Sequence, residues 1–263
     1  MKPDYKNWVP KSMLKVLVAG TIAAFSLFML FGVTELFLHG TARIICAFVF
    51  GIGTVVLLFF SAWMFALHRV FDYNGKRRLA KTIVDGSSAY VDIPEGGIGL
   101  DVGCGSGALT IACAKRNPKA KMIGIDRWGR EYASFSKALC ESNAAVEGVR
   151  NVSFAQGNAL KLDFEDETFD AVTSNYVYHN IPSNDRQAIL LETLRILKKG
   201  GTFAIHDLFS KARYGDMQSF IGQLKDLGYE KVELIDTANG MFIGKTESRW
   251  LGLSGSALLV GKK

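Results

Sequence analysis

Hydrophobic and polar positions follow two different regimes along the chain. Val16 to Thr34 runs 19 residues without a charge, and Ile44 to Leu67 runs 24 more. At about 1.5 Å per helical residue, either run crosses a hydrocarbon core of about 30 Å. The linker Glu35 to Arg43 contains Gly40 and permits a tight turn, so the pattern predicts a helical hairpin with spans at about 16–38 and 44–67. A basic helical stretch near Lys76 to Val84 follows, and Gly86-Ser87-Ser88 reads as a break. From there the apolar residues fall into short strand-like runs. These are Ile98 to Val102, Met122 to Ile125, Val152 to Ala155, Ala171 to Ser174, Phe203 to Ile205, Lys231 to Ile235 and Ala257 to Val260, most of them separated by helical patterns. Asn184 with Gln187 reads as a capping box for a helix that runs to Leu197 and ends in Lys198-Lys199-Gly200. Such alternation predicts an α/β fold, a doubly wound sheet with right-handed crossovers, preceded by two transmembrane helices. The segments are 1–68 for the hairpin, 69–97 for a basic connecting helix and linker, and 98–263 for the α/β domain.

Charge changes the picture by where it sits. The formal net charge is +6, yet residues 1–81 hold ten Lys or Arg against three acids, while the remainder is nearly balanced. A nucleic-acid footprint needs a basic face on the globular part, and the chain has none by composition. Lys2, Lys6, Lys11 and Lys15 precede the first span, and Arg69, Lys76, Arg77, Arg78 and Lys81 follow the second, whereas the hairpin loop has only Arg43. The positive-inside rule places both termini and the α/β domain in the cytoplasm, making a multi-pass protein of the cell membrane. Trp8 and Trp63 suit interfacial anchoring, and Glu35 reads as an interfacial charge near His39 and Arg43. Gly20 and Ala24 offer a small-residue face for helix packing. The four cysteines make no C-x-x-C pair and no zinc-like cluster, so they read as reduced thiols and no metal site is expected.

The candidate chemistry begins at Gly99-Leu-Asp-Val-Gly-Cys-Gly-Ser-Gly-Ala108. Gly103, Gly105 and Gly107 follow a predicted strand and precede a predicted helix, where side chains would keep a ligand from the backbone. The next strand ends at Asp126, whose carboxylate can accept bonds from two vicinal ribose hydroxyls. The turn therefore holds a nucleoside-containing cofactor. From Gly103 it also satisfies G-x-G-x-x-A, which keeps a nicotinamide dinucleotide open. Asp101 weighs against that, because its carboxylate would repel a pyrophosphate and would receive an ammonium; no Y-x-x-x-K pair occurs either.

The stretch from Ile98 to Lys263 resembles the class I S-adenosylmethionine-dependent methyltransferases. Four segments in order carry the resemblance: Asp101 to Gly107, Asp126 within Gly-Ile-Asp-Arg-Trp, Gln156-Gly-Asn-Ala159 followed by Leu162 to Val172, and Leu194 to Phe203. The resemblance implies S-adenosyl-L-methionine as cofactor. It implies that Asp101 positions the methionine ammonium, that Gly103, Cys104, Gly105 and Gly107 line the turn, and that Asp126 binds the ribose. Arg127 and Trp128 would flank the adenine, with Ala159 close by. Asn158 stands where the family usually has an aspartate against the adenine amino group; its amide oxygen can accept the same bond, or it is a turn residue.

By the same resemblance the acceptor faces the end of the fourth strand, here Thr173-Ser-Asn-Tyr-Val-Tyr-His-Asn180. Asn175 would line the cofactor, Tyr176 and Tyr178 would shape the acceptor cavity, and His179 is the first candidate base. His206, in the polar pair His206-Asp207 closing the fifth strand, is the second. For both histidines a structural role is the competing reading. The acceptor expected is small or lipid-like, met at the cytoplasmic membrane face among membrane lipids. Two other classes stay open at this point: a nicotinamide-dependent oxidoreductase and a non-catalytic cofactor-binding module. Since every expected cofactor element lies beyond Ile98, loss of residues 1–68 is expected to leave cofactor affinity intact.

Overall fold

The computed structural model describes residues 2–129 and 134–263. The chain divides into two units, one spanning Asn7–Ala80 and the other joining Lys81–Lys263 to the segment that ends at Lys6.

In the first unit, helix α1 (Lys11–Leu27) passes into a π-helical turn at Phe28–Val33, and α2 occupies Gly40–Phe71. Both are long and apolar enough to cross a membrane. The first helical run starts earlier than the uncharged stretch suggests and stops at Val33, short of position 38. Most of the apolar side chains are exposed, Val16 and Phe48 among them. Such faces suit lipid rather than water. The two helices meet where side chains are small. A Cβ at Gly32 would lie 2.7 Å from Ala47 Cα, which only glycine avoids. The close contact is thus at Gly32, while Gly20 meets only the tip of Leu57 at 3.8 Å. Thr21 and Ser61 share a hydrogen bond of 3.0 Å, and Arg43 pairs with Glu35 at 3.1 Å across the loop.

In the second unit seven strands, among the described residues, form one sheet in the order β3-β2-β1-β4-β5-β7-β6. They are β1 (Ile98–Val102), β2 (Lys121–Asp126), β3 (Val152–Gln156), β4 (Phe169–Asn175), β5 (Leu197–Leu208), β6 (Glu230–Asp236) and β7 (Ser256–Lys262). All neighbours run parallel except β7, which is antiparallel to both β5 and β6. Each predicted strand lies inside an observed one. The central strands read as continuous apolar runs because helices cover both faces; Leu100, Val102, Ala171 and Val172 are fully buried. Chain order runs outward from β1 to β3 on one side and from β4 to β5 on the other. The crevice at the carboxyl ends of β1 and β4 is therefore the topological switch point, where ligands of such sheets bind.

The helices packed on this sheet are α3 (Leu79–Ser88), α4 (Ala108–Arg116), α5 (Lys137–Val146), α6 (Arg186–Arg195), α7 (Lys211–Tyr214), α8 (Met217–Asp226) and α9 (Lys245–Trp250). Three local expectations change. Gly86 does not break a helix but lies within α3, where a Cβ would sit 2.2 Å from the Phe242 ring. Close packing, not chain reversal, requires that glycine. The N-cap of α6 is Asp185, accepting from the Ala188 N–H at 3.0 Å, in place of the expected Asn184–Gln187 box. The helix ends at Arg195, and Leu197 already begins β5.

Candidate active site

The glycine turn leaves β1 and enters α4 with Gly103, Gly105 and Gly107 all at positive φ, 76°, 57° and 81°. Gly103 has a further reason to lack a side chain, since a Cβ would lie 2.3 Å from Val177. The Gly103 and Cys104 N–H groups donate to the Ile125 carbonyl at 2.8 and 3.0 Å, which ties the turn to the end of β2. Asp126 closes that strand. Its Oδ2 accepts the Gly105 N–H at 2.8 Å and its Oδ1 accepts the Trp128 N–H at 2.7 Å. The Trp128 indole N–H in turn donates to the Gly105 carbonyl at 3.0 Å. Asp126, Gly105 and Trp128 are thus brought together by direct bonds, and each carboxylate oxygen keeps a further lone pair for a hydroxyl. Arg127 is exposed beside them.

Asp101 lies beneath the turn. It is 1% exposed and accepts the Thr110 hydroxyl at 2.6 Å and the Thr173 hydroxyl at 2.9 Å. Burial disfavours its charge, the two hydroxyls counter this in part, and the carboxyl is pushed up to about 6. A cation brought close would favour the ionised form. The pattern of glycines, carboxylates and hydroxyls therefore fits a ligand with a ribose and an ammonium group. Asn158 is exposed, and its amide oxygen accepts the Leu160 N–H at 3.0 Å within a turn. That bond places it in a turn and leaves the second lone pair of the oxygen open; Ala159 packs on the core beside it.

Across the crevice the residues after β4 separate into two groups. His179 lies in a short 3₁₀ turn, Tyr178–Asn180, with its side chain 16% exposed. Its Nδ1 is 2.5 Å from Oδ1 of Asp207, which is fully buried. Burial alone would raise the Asp207 carboxyl, yet the His179 hydrogen bond and charge, with the Leu208 and His179 N–H groups, hold it below its ordinary value. The carboxylate therefore stays charged, also accepting the Tyr178 N–H at 2.9 Å. His206 is wholly buried. Asn175 Oδ1 meets its Nδ1 at 2.9 Å and Thr237 Oγ1 meets its Nε2 at 2.9 Å. Desolvation pushes this ring down to about 3, so it is neutral with both nitrogens occupied. That geometry makes His206 a structural residue rather than a base. Tyr178 is likewise fully buried, its hydroxyl bonded to Thr193 at 2.7 Å, and it presents no surface to an acceptor. Tyr176 keeps a left-handed backbone at φ 53°, its hydroxyl bonded to Ser256 at 2.5 Å and its ring edge-on to His179 at 5.8 Å.

The residue that sequence reasoning passed over is Asp207. The polar pair at the end of β5 was visible, and alternation along a strand already requires His206 and Asp207 to face opposite sides. Only the register Asn175↔His206 shows which of the two turns toward His179.

The family described as a methyltransferase domain matches residues 95–247, more than half of the chain. The chain belongs to this methyltransferase family. The cofactor of the methyltransferase is S-adenosylmethionine, and the nicotinamide alternative falls away. It is 29% identical over 141 residues to a demethylmenaquinone methyltransferase of Bacillus subtilis, covering 54% of this chain and 58% of the relative. The corresponding protein of Bacillus cereus is 33% identical over 132 residues, covering 50% and 53%. The chain thus spans little more than half the length of these relatives. The phosphoethanolamine N-methyltransferase 2 of Haemonchus contortus, solved with S-adenosylmethionine, shares the fold at a TM-score of 0.50 and 15% identity, covering 72% of this chain and 53% of that one.

Proposed function

We propose that the methyltransferase acts on a lipophilic hydroquinone, or a phenol of the same kind, at the cytoplasmic face of the membrane in which the hairpin of residues 1–68 anchors it. The observation that carries this reading is the His179–Asp207 pair, with His179 two residues beyond Val177, whose side chain packs on Gly103 of the glycine turn. Amines need no base to accept a methyl group once deprotonated by water, whereas a phenolic oxygen holds its proton at neutral pH. Asp207 accepts from His179 Nδ1–H and fixes the tautomer, which leaves Nε2 as the proton acceptor. Nε2 takes the phenolic proton, and the resulting imidazolium is stabilised by the buried carboxylate. The acceptor's electron pair would then form the bond to the methyl group as the sulfonium–methyl bond breaks, its electrons passing to sulfur and S-adenosylhomocysteine leaving. S-adenosylmethionine supplies that group in already electrophilic form, so the protein's main tasks are alignment and exclusion of water. Where the pair comes from a ring carbon, that carbon then loses its own proton to water as the ring regains aromaticity, and the imidazolium returns its proton to the phenolic oxygen. Asp101, Gly103, Gly105, Asp126 and Trp128 hold the cofactor, and Tyr176 lines the acceptor side. The names of the Bacillus relatives support a quinone-type acceptor. Two apolar helices and the basic run Arg69 to Lys81, attracted by anionic headgroups, support the membrane setting.

The test uses the full-length protein in lipid nanodiscs with methyl-labelled S-adenosylmethionine. One sample receives a reduced naphthoquinone bearing an isoprenoid tail, and the other receives phosphatidylethanolamine. Label in the quinol product supports the proposal. Label confined to the phospholipid amine overturns it.

A further inference from the structure

The residues ahead of the first apolar helix pack with the methyltransferase domain. Tyr5 is 2% exposed, and its hydroxyl donates to Glu147 Oε1 at 2.9 Å. Glu147 caps the C-terminus of α5 and pairs with Lys115 in the last turn of α4. Asp4 forms a two-point contact with Asn143 on α5. Its N–H donates to Asn143 Oδ1 at 2.7 Å, and its carbonyl accepts from Asn143 Nδ2 at 3.0 Å. The same Nδ2 donates to the carbonyl of Ser106 at 3.0 Å, and Ser106 lies between two glycines of the turn. One helical turn earlier, Cys140 Sγ donates to the carbonyl of Gly105 at 3.2 Å. One face of α5 therefore grips two successive carbonyls of the turn, and the N-terminal segment is bonded to that face.

Asn143 is 2% exposed, so its amide is committed to this bridge. Buried polar groups of this kind are costly to leave unpaired, which makes the bridge cooperative: the Asp4 contacts restrict the rotamer that holds Ser106. Gly105 and Gly107 tolerate many dihedrals, and nothing in their own chemistry selects the one the cofactor needs. An external grip on the carbonyls supplies that selection.

We propose that Asp4 and Tyr5 act as a clasp for the cofactor turn, and that Asn143 is the positioning residue through which they act. Affinity for S-adenosylmethionine then depends on a segment more than 90 residues upstream of the turn, contrary to the expectation that residues 1–68 are dispensable for cofactor binding. Asp4 and Tyr5 precede α1 in the chain, so removal of residues 1–68 removes the clasp as well.

The full-length protein in detergent is titrated with S-adenosylhomocysteine as wild type, Tyr5→Ala, Tyr5→Phe, Asn143→Ala and the Tyr5→Ala/Asn143→Ala double variant. Tyr5→Ala and Asn143→Ala should each weaken binding roughly five- to tenfold, the size expected for losing a buried hydrogen bond. Tyr5→Phe, which keeps the packing, should lose less. The double variant should be no weaker than Asn143→Ala alone. In turnover assays KM for S-adenosylmethionine should rise while kcat at saturating cofactor holds, a split that general destabilisation does not produce. Wild-type affinity in folded Tyr5→Ala and Asn143→Ala overturns the proposal. Additive losses in the double variant overturn it too, because they would show two independent effects.

Discussion

The two histidines beside the crevice, one in the turn after β4 and one within β5, meet opposite environments. His179 is partly exposed and shares its Nδ1 with a buried, charged Asp207. His206 is wholly enclosed, with a carboxamide on one nitrogen and a hydroxyl on the other. Only 4.7 Å separates the His206 ring from that of Tyr176, whose ring also meets His179 at 5.8 Å. Proximity to the site therefore does not decide the role. A base needs a charged partner to hold the imidazolium and an open nitrogen to receive the proton. An imidazole enclosed among neutral partners supplies neither and serves as a hydrogen-bonding brace.

The largest expected effect tests the first half of this contrast. His179→Gln should lower kcat by about 10² to 10⁴-fold, the range for losing a general base. S-adenosylhomocysteine affinity should stay near wild type. Asp207→Asn should fall in the same direction by a smaller factor, because the imidazole remains but its cation loses its partner. Full activity in His179→Gln, read by transfer of labelled methyl groups, would remove the base from the mechanism.

The second half is read in stability. The unfolded chain protonates His206 below about 6.5, whereas the folded ring stays neutral until about 3. Its contribution is thus intact above pH 6.5 and shrinks as the pH falls through that window, by roughly 3 to 5 kcal/mol in all. His206→Gln should flatten this acid limb in denaturant melts while costing about 1 to 3 kcal/mol at neutral pH for the disturbed bonds to Asn175 and Thr237. Activity per folded molecule should change little. A large loss of kcat without loss of stability would reverse the assignment of the two histidines.

Asp101 sharpens the comparison from the opposite sign. Burial raises its carboxyl to about 6, so the folded state holds a proton that the unfolded state releases from about pH 3.8 upward. Stability therefore declines as the pH rises from about 3.8 to 6, and the deficit persists above. Asp101→Asn should gain about 1 to 2 kcal/mol in cofactor-free melts at pH 7.5, and the gain should vanish at pH 3.5. Cofactor affinity should fall in the same variant, since an amide cannot offer a charge to the methionine ammonium. A variant no more stable at pH 7.5 would mean that the carboxylate is already compensated by Thr110 and Thr173.

Much of the architecture was legible in the chain. Every strand was marked by its apolar run, most plainly the central parallel ones, whose two faces are both covered. The glycine turn and Asp126 were marked by residue type at fixed spacing, because backbone dihedrals and the acid that ties a strand end to the next turn are local demands. The helix edges were less legible. Gly86 signals a break in the sequence but is required by Phe242, which lies more than 150 residues away in the chain. A gap of 139 residues separates Asp4 from Asn143, and no local pattern announces that pairing.

What the sequence determined by itself is therefore set by short-range physics: two apolar helices long enough for a bilayer, an alternating α/β domain, and a glycine turn with carboxylates at its edges. The tertiary structure decided which polar side chains share a partner. Register between β4 and β5 sent His206 inward to Asn175 and left Asp207 for His179. Burial then fixed the protonation of each group, pushing His206 down and Asp101 up. Desolvation and hydrogen bonding act through space, so a residue's place in the chain specifies its identity, while its neighbours in the fold specify its charge.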